Sequence, residues 1–405
     1  MTAASFRSSR VAAAALLVGA FLALPLATEV AVAAPQTISI GVDHAPPAGH
    51  NFQYTDYFPR SGVTIHPGDV VDFAWANEAD GLHTATVLKA GENPVQAWFS
   101  VYPLVQPDPD DGAAALQLNP KLAPSNPPPG SGAPGACGDG ATPCTYDGTV
   151  DQNSGPHTSD GTSHYFVQMN VAAGTSVTYA CLIHPGMFGT VDVVDPATAA
   201  STPSAIATAA QAQEADDTSS ALAKEAAVNT SSVTTNADGT QTLSMTAGTA
   251  VPYVEILEML PNDVQITAGD TITWTTGTLV DIHTVTFPQG NDPTTEPITQ
   301  VCEGAGTADT PYDPTAPGPP CGDPTLFETH VSPAPSGGTV IADASTVATS
   351  GIIAALPPET PFPNVYSFTF PNAGTMTYQC RIHDHMVGTV TVVEAATVAQ
   401  PHFTG

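Results

Sequence analysis

The chain is 405 residues long, enough for two domains at the usual size of about 100–200 residues each. Its formal net charge is −31, from 7 Lys+Arg against 38 Asp+Glu. That balance excludes nucleic acid and anionic membrane surfaces as partners, because holding phosphate requires clustered cations. A charge this far from zero also keeps an exported protein soluble.

Residues 1–34 read as a signal peptide. Arg7 and Arg10 precede an apolar stretch from Val11 to Leu26, and Ala31, Ala33 and Ala34 offer a cleavage site. No later run reaches the roughly 18 apolar residues needed to span a bilayer. The expectation is a soluble protein without a membrane span, secreted or periplasmic.

Residues 35–195 read as a first domain of short strands. Val70-Val-Asp-Phe-Ala-Trp75 follows a Gly-Asp turn and is rich in β-branched and aromatic residues. Ser176-Val-Thr-Tyr-Ala-Cys181 alternates in strand fashion, which puts Tyr179 and Cys181 on one face. Gly189-Thr-Val-Asp-Val-Val194 reads as a closing strand. Between them, Pro103 to Pro156 is a long insertion dense in Pro, Gly and Asp, expected near the surface.

Residues 196–235 form an Ala/Ser/Thr-rich linker. Ala205 to Ala227 has good helical propensity, but its apolar residues are mostly Ala and offer little to bury. A semi-flexible spacer is the expectation. Residues 236–395 then repeat the first domain, with strands Thr271-Ile-Thr-Trp274, Met376-Thr-Tyr-Gln-Cys380 and Gly388-Thr-Val-Thr-Val-Val393, and a second insertion from Pro288 to Pro363. Residues 396–405 are a tail.

The repetition is close. Cys181 and Cys380, His184 and His383, Met187 and Met386, and Trp75 and Trp274 each differ by 199 positions, and His83 and His283 by 200. Val63-Thr-Ile-His-Pro-Gly-Asp69 corresponds to Val264-Gln-Ile-Thr-Ala-Gly-Asp270. One domain has been duplicated in tandem.

What repeats carries chemistry. Each copy has Cys-x2-His-x2-Met at the end of a strand, in Tyr179-Ala-Cys-Leu-Ile-His-Pro-Gly-Met187 and Tyr378-Gln-Cys-Arg-Ile-His-Asp-His-Met386. Each also has one isolated upstream histidine, His83 in His83-Thr-Ala-Thr and His283 in His283-Thr-Val-Thr. One thiolate, two imidazoles and one thioether form the ligand set of a type 1 blue-copper site, and thiolate with thioether favours copper over the competing zinc. The candidate metal ligands are therefore His83, Cys181, His184 and Met187, then His283, Cys380, His383 and Met386. His385 lies inside the second loop and reads as an exposed histidine, with competition for the metal as the alternative. The remaining histidines, at 44, 50, 66, 157, 164, 330 and 402, show no second cluster.

Cys137 with Cys144, and Cys302 with Cys321, form local pairs that an oxidising compartment favours as disulfides. Four cysteines allow three pairings, so the connectivity stays open.

With these motifs the chain resembles the cupredoxins. The short metal loops are most similar to that of amicyanin and shorter than those of plastocyanin and pseudoazurin. Pro185 strengthens the likeness in the first copy, and Asp384 departs from it in the second. The resemblance covers the strands of both repeats but neither insertion nor linker. It implies an all-β fold of two tandem Greek-key β-sandwiches binding two coppers. The function expected is electron transfer with a redox partner protein, a basic one by charge complementarity. Copper storage or delivery is the alternative. An oxidoreductase of the nitrite reductase or multicopper oxidase type is a third. Those families place histidines beside the ligand cysteine, whereas Ala180 and Leu182 flank Cys181, and Gln379 and Arg381 flank Cys380. With no further copper-ligand pattern, the chain is not expected to be an enzyme.

Overall fold

The two Gly-Asp turns do more than reverse the chain. Asp69 accepts from Gln36 N at 2.8 Å and from His66 N at 2.9 Å; Asp270 repeats both bonds, from Gln241 N at 2.7 Å and Thr267 N at 2.8 Å. Each carboxylate satisfies backbone donors that a strand entry would leave unpaired. Each also sits where a parallel pair begins, with Thr37 opposite Val70 and Thr242 opposite Thr271.

The computed structural model describes residues 34–102, 105–108, 112–278, 280–290, 299–300, 327–329, 334–355, 362–383 and 385–395. Residues 1–33 of the expected signal peptide, the pair Cys302/Cys321, His330, Asp384, and the tail at 396–405 with His402 lie outside them.

From Pro35 onward the chain builds two β-sandwiches. In the first, one sheet runs Thr37–Gly41, Val70–Ala74, His164–Met169, Cys144–Tyr146, and the facing sheet runs Gln152–Asn153, Thr86–Val87, Thr175–Ala180, Phe188–Val193, Val63–Ile65. In the second, Gln241–Val251, Thr271–Gly277 and Val365–Thr369 face a sheet of Asp263–Thr267, Val387–Val393, Gly374–Gln379, Thr286–Phe287, Ala348–Thr349. Neighbouring strands come from distant parts of the chain in both. Alternation sends Ile38, Phe73, Val177 and Tyr179 into the first core, and Met245, Trp274, Met376 and Tyr378 into the second. Gly189 and Gly388 stand opposite Tyr179 and Tyr378, where an added Cβ would lie 2.3 and 2.5 Å from the nearest ring or hydroxyl atom. Only glycine lets the tyrosines lie across the closing strands.

The register corrects one correspondence. Counting from Asp69 and Asp270, the partner of Trp274 is Phe73, not Trp75. Phe73 faces Tyr165 across the sheet and Trp274 faces Tyr366. Phe73 lies 5.2 Å from the Tyr179 ring, as Trp274 lies 5.3 Å from Tyr378. Trp75 is also buried, but packs on His157 at 4.8 Å.

The linker is not a loose spacer. Pro203–Val228 is one helix of 26 residues, with Thr202 capping its first turn and Pro at its start. Its small face lets it approach closely: Ala221 is buried among Phe52, Tyr54, Phe58, Val254, Ile256 and Leu260. Polar pairs add to this. Arg60 reaches Asp217 Oδ2 at 2.8 Å and pairs with the buried Asp56, whose carboxyl burial pushes up to about 6 against the pull of Arg60. His50 Nδ1 meets Glu225 Oε2 at 2.6 Å, and His44 pairs with Glu214. The alanine-rich sequence hid this because most of the contact comes from residues on the other side.

The halves also share sheets. Phe52–Tyr54 of the first repeat pairs with Val254–Leu260 of the second, and the two insertions join through Thr329 opposite Leu116. Cys137 and Cys144 form the expected disulfide, with a Cα–Cα distance of 4.9 Å. Among the described residues no helix is long and apolar enough to cross a membrane.

Candidate metal centres

Each site is assembled where three strand ends meet. The upstream histidine closes Asn77–His83 in the first sandwich and Ile282–His283 in the second. The cysteine follows Thr175–Ala180 or Gly374–Gln379, and the methionine immediately precedes the closing strand. Between cysteine and methionine the chain makes a tight loop closed at both ends. Cys181 N donates to Met187 O at 3.0 Å and Met187 N to His184 O at 3.2 Å; the second loop repeats these at 2.8 and 3.2 Å through Cys380, Met386 and His383. Pro185 and Asp384 differ, yet this closure is the same.

Three of the four residues predicted for each site come together. His83, Cys181 and His184 present ligand atoms within 4.8 Å of one another, and so do His283, Cys380 and His383; all six are buried. In the first site Nδ1 of His184 is 3.0 Å from Nδ1 of His83 and 3.8 Å from Cys181 Sγ. In the second, His383 Nδ1 is 3.2 Å from His283 Nδ1 and 3.7 Å from Cys380 Sγ, with His283 Nδ1 4.0 Å from that sulfur. Met187 and Met386 are buried, with their backbones tied to the ligand cysteine and histidine of their loops. His385 is exposed and is not part of the cluster.

These spacings fit one ion in each site. Metal–nitrogen bonds of about 2.0 Å and metal–sulfur bonds of about 2.3 Å leave ligand atoms roughly 3 to 4 Å apart around their ion. Two buried imidazoles whose Nδ1 atoms face each other at 3.0 and 3.2 Å can share either a proton or a metal ion.

The protein prepares the thiolate. Thr84 N and Ile183 N both point at Cys181 Sγ at 3.4 Å, and Thr284 N and Ile382 N repeat this at Cys380 at 3.4 Å. Burial pushes each thiol up, but hydrogen bonds and charge from His184 and His83 outweigh it and hold Cys181 well below the ordinary thiol range. The same balance, led by His383, lowers Cys380. Burial drives His283 well below the usual imidazole range, reinforced by His383. In the second site a low-pKa thiolate at Cys380 beside the neutral imidazole of His283 is the protonation state that metal binding requires.

Four residues around the sites were not singled out in the sequence. Thr84 Oγ1 accepts from Leu182 N at 2.8 Å, and Thr284 Oγ1 from Arg381 N at 2.9 Å, so the residue after each upstream histidine grips the metal loop. The repeated His-Thr pair was the signal. Ser154 Oγ accepts from Ala85 N at 2.9 Å and Ser350 Oγ from Val285 N at 2.8 Å. Both serines lie within the insertions, at a shared Ser-Gly pair. The C-terminal end of each insertion is therefore part of the site wall.

Among the described residues one other group has suitable side chains: ligand-capable atoms of His50, Glu225 and Glu258 lie within 4.8 Å of one another. They are partly exposed and already engaged, Glu258 accepting from Asn51 N at 2.8 Å, and they clasp the linker helix to the two sandwiches.

No family model and no curated protein matches the chain. Solved structures resemble parts of it. Cu-containing nitrite reductase from Thermus scotoductus is 12% identical at a TM-score of 0.20, covering 89% of this chain and 68% of that one. Auracyanin B is 17% identical at a TM-score of 0.23, covering 40% of this chain and 89% of its own. Auracyanin A, a "blue" copper protein from the green thermophilic photosynthetic bacterium Chloroflexus aurantiacus, is 17% identical at a TM-score of 0.20, covering 40% and 99%.

Proposed function

We propose that this chain is an exported electron-transfer protein carrying two mononuclear type 1 coppers. His83, Cys181, His184 and Met187 hold one, and His283, Cys380, His383 and Met386 the other. The observation that carries the reading is that a buried thiolate and two imidazole Nδ1 atoms converge at single-ion spacing in both repeats. Copper bound there supplies a one-electron couple. The residues do the rest. The closed loops hold the ligands in place, the amide donors stabilise the thiolate, and burial keeps water out.

Storage or delivery uses the same ligands and is the second reading. Only 7 Met are spread over the chain, without a cluster, whereas soft-sulfur tracts suit the handling of Cu(I). An enzyme reading has less support, since no histidine flanks either cysteine. The partner is a redox protein, with a basic surface suited to this acidic chain.

Cycling the copper-loaded protein with ascorbate and ferricyanide separates carrier from store. A carrier bleaches and recovers its colour with both ions retained, even with a Cu(I) chelator present. Transfer of copper to the chelator on each reduction would support storage and contradict electron transfer.

A further inference from the structure

The inner edges of the two sites match; their outer edges do not. His83 Nε2 lies 3.9 Å from Asp43 Oδ2, and His184 Nε2 lies 3.9 Å from Asp281 Oδ1. Asp43 is buried and oriented by Ala76 N, which donates to its other oxygen. Asp281 comes from the second repeat, two residues before His283, and its Oδ2 is buried without a hydrogen-bond partner.

In the second repeat the counterpart of Asp43 is Gly248. Gly41 pairs with Ala74 as Thr246 pairs with Thr275, and two further steps reach Asp43 and Gly248. Both stand against Nε2 of the upstream histidine, but at Gly248 even a Cβ would lie 2.2 Å from His283 Nε2. A carboxylate thus faces the upstream imidazole of the first site, and bare backbone faces that of the second. The position after the thiolate differs in the same sense, with Leu182 in one site and the buried Arg381 in the other.

We propose that Asp43 and Asp281 are positioning residues that hold the reduction potential of the first site below that of the second. The inference rests on the two-copper reading. A carboxylate about 4 Å from the outer edge of a ligand imidazole makes that ligand more basic, and in a buried setting its charge favours the more positive, oxidised ion. A molecule given one electron then keeps it at the second site. Because Asp281 belongs to the second repeat, the first site is tuned by the domain it abuts.

The test is a redox titration of the full-length copper-loaded protein, followed by visible absorption and electron paramagnetic resonance. Cys181→Ser and Cys380→Ser assign each wave. Two waves are expected, the first site the lower. Asp43→Asn keeps an acceptor for Ala76 N. It should lower the oxidised-to-reduced ratio of the first site at least tenfold at fixed potential, a rise of about 59 mV for one electron. Asp281→Asn, read in the Cys380→Ser background, should act in the same direction. The second site should keep its potential in Asp43→Asn. A common potential, the reverse order, or Asn variants that leave the first site unmoved would overturn the proposal while the two-copper reading stands. Absence of two blue coppers in the parent protein would instead sink that reading, and this inference with it.

Discussion

Cys181→Ser and Cys380→Ser should each remove one copper and about half of the intense visible absorption, leaving the other site intact. The absorption comes from thiolate-to-copper charge transfer, and a serine hydroxyl is neither a thiolate nor a soft ligand. Each variant also replaces the thiolate that accepts from two backbone N–H groups at 3.4 Å, those of Thr84 and Ile183 or of Thr284 and Ile382, with a neutral hydroxyl. The loops should survive, because their closure runs through backbone bonds. The two ligand sets share no residue, so the losses should add in the double variant. Copper analysis and absorption spectra of the three variants are sufficient. A single variant that kept both coppers would refute the ligand assignment.

Gly248→Ala should cripple the second site and leave the first unchanged. The added Cβ would lie 2.2 Å from Nε2, 2.7 Å from Cδ2 and 2.9 Å from Cε1 of His283, with the backbone at a φ of +72° that L side chains rarely adopt. His283 is fully buried and cannot retreat without withdrawing its Nδ1 from Cys380 and His383. Overpacking costs about 1–3 kcal/mol and left-handed strain about 1–2 kcal/mol, so a loss of about 2–5 kcal/mol is expected in denaturant unfolding of the apo-protein, together with loss of one copper. Gly68→Ala is the control. Its φ is +87° with nothing within 4 Å of the added Cβ, so it should lose only about 1–2 kcal/mol and keep both coppers. Equal behaviour of the two variants would show that contact with His283 is irrelevant.

Much of the site was legible because it repeats. A histidine, cysteine or methionine met once has a bland explanation, but the same order at offsets of 199 and 200 positions leaves little room for coincidence. The strands were legible for a simpler reason, as alternation with Gly-Asp turns is a local signal. What stayed hidden is long-range. Asp43 and Asp281 acquire meaning only when register brings them to an imidazole edge. Trp75 and Trp274 matched as letters, while register pairs Trp274 with Phe73. The linker helix buries little of its own and is held by Phe52, Tyr54 and Arg60. Ser154 and Ser350 were lost inside insertions whose composition pointed to the surface.

The central claim is two type 1 coppers in one chain, and the most direct measurement is a copper titration of the purified protein with visible absorption and electron paramagnetic resonance. The account predicts two equivalents per chain, both with thiolate-to-copper charge transfer and type 1 resonance. A single blue equivalent, or additional copper with a type 2 signal, would contradict it.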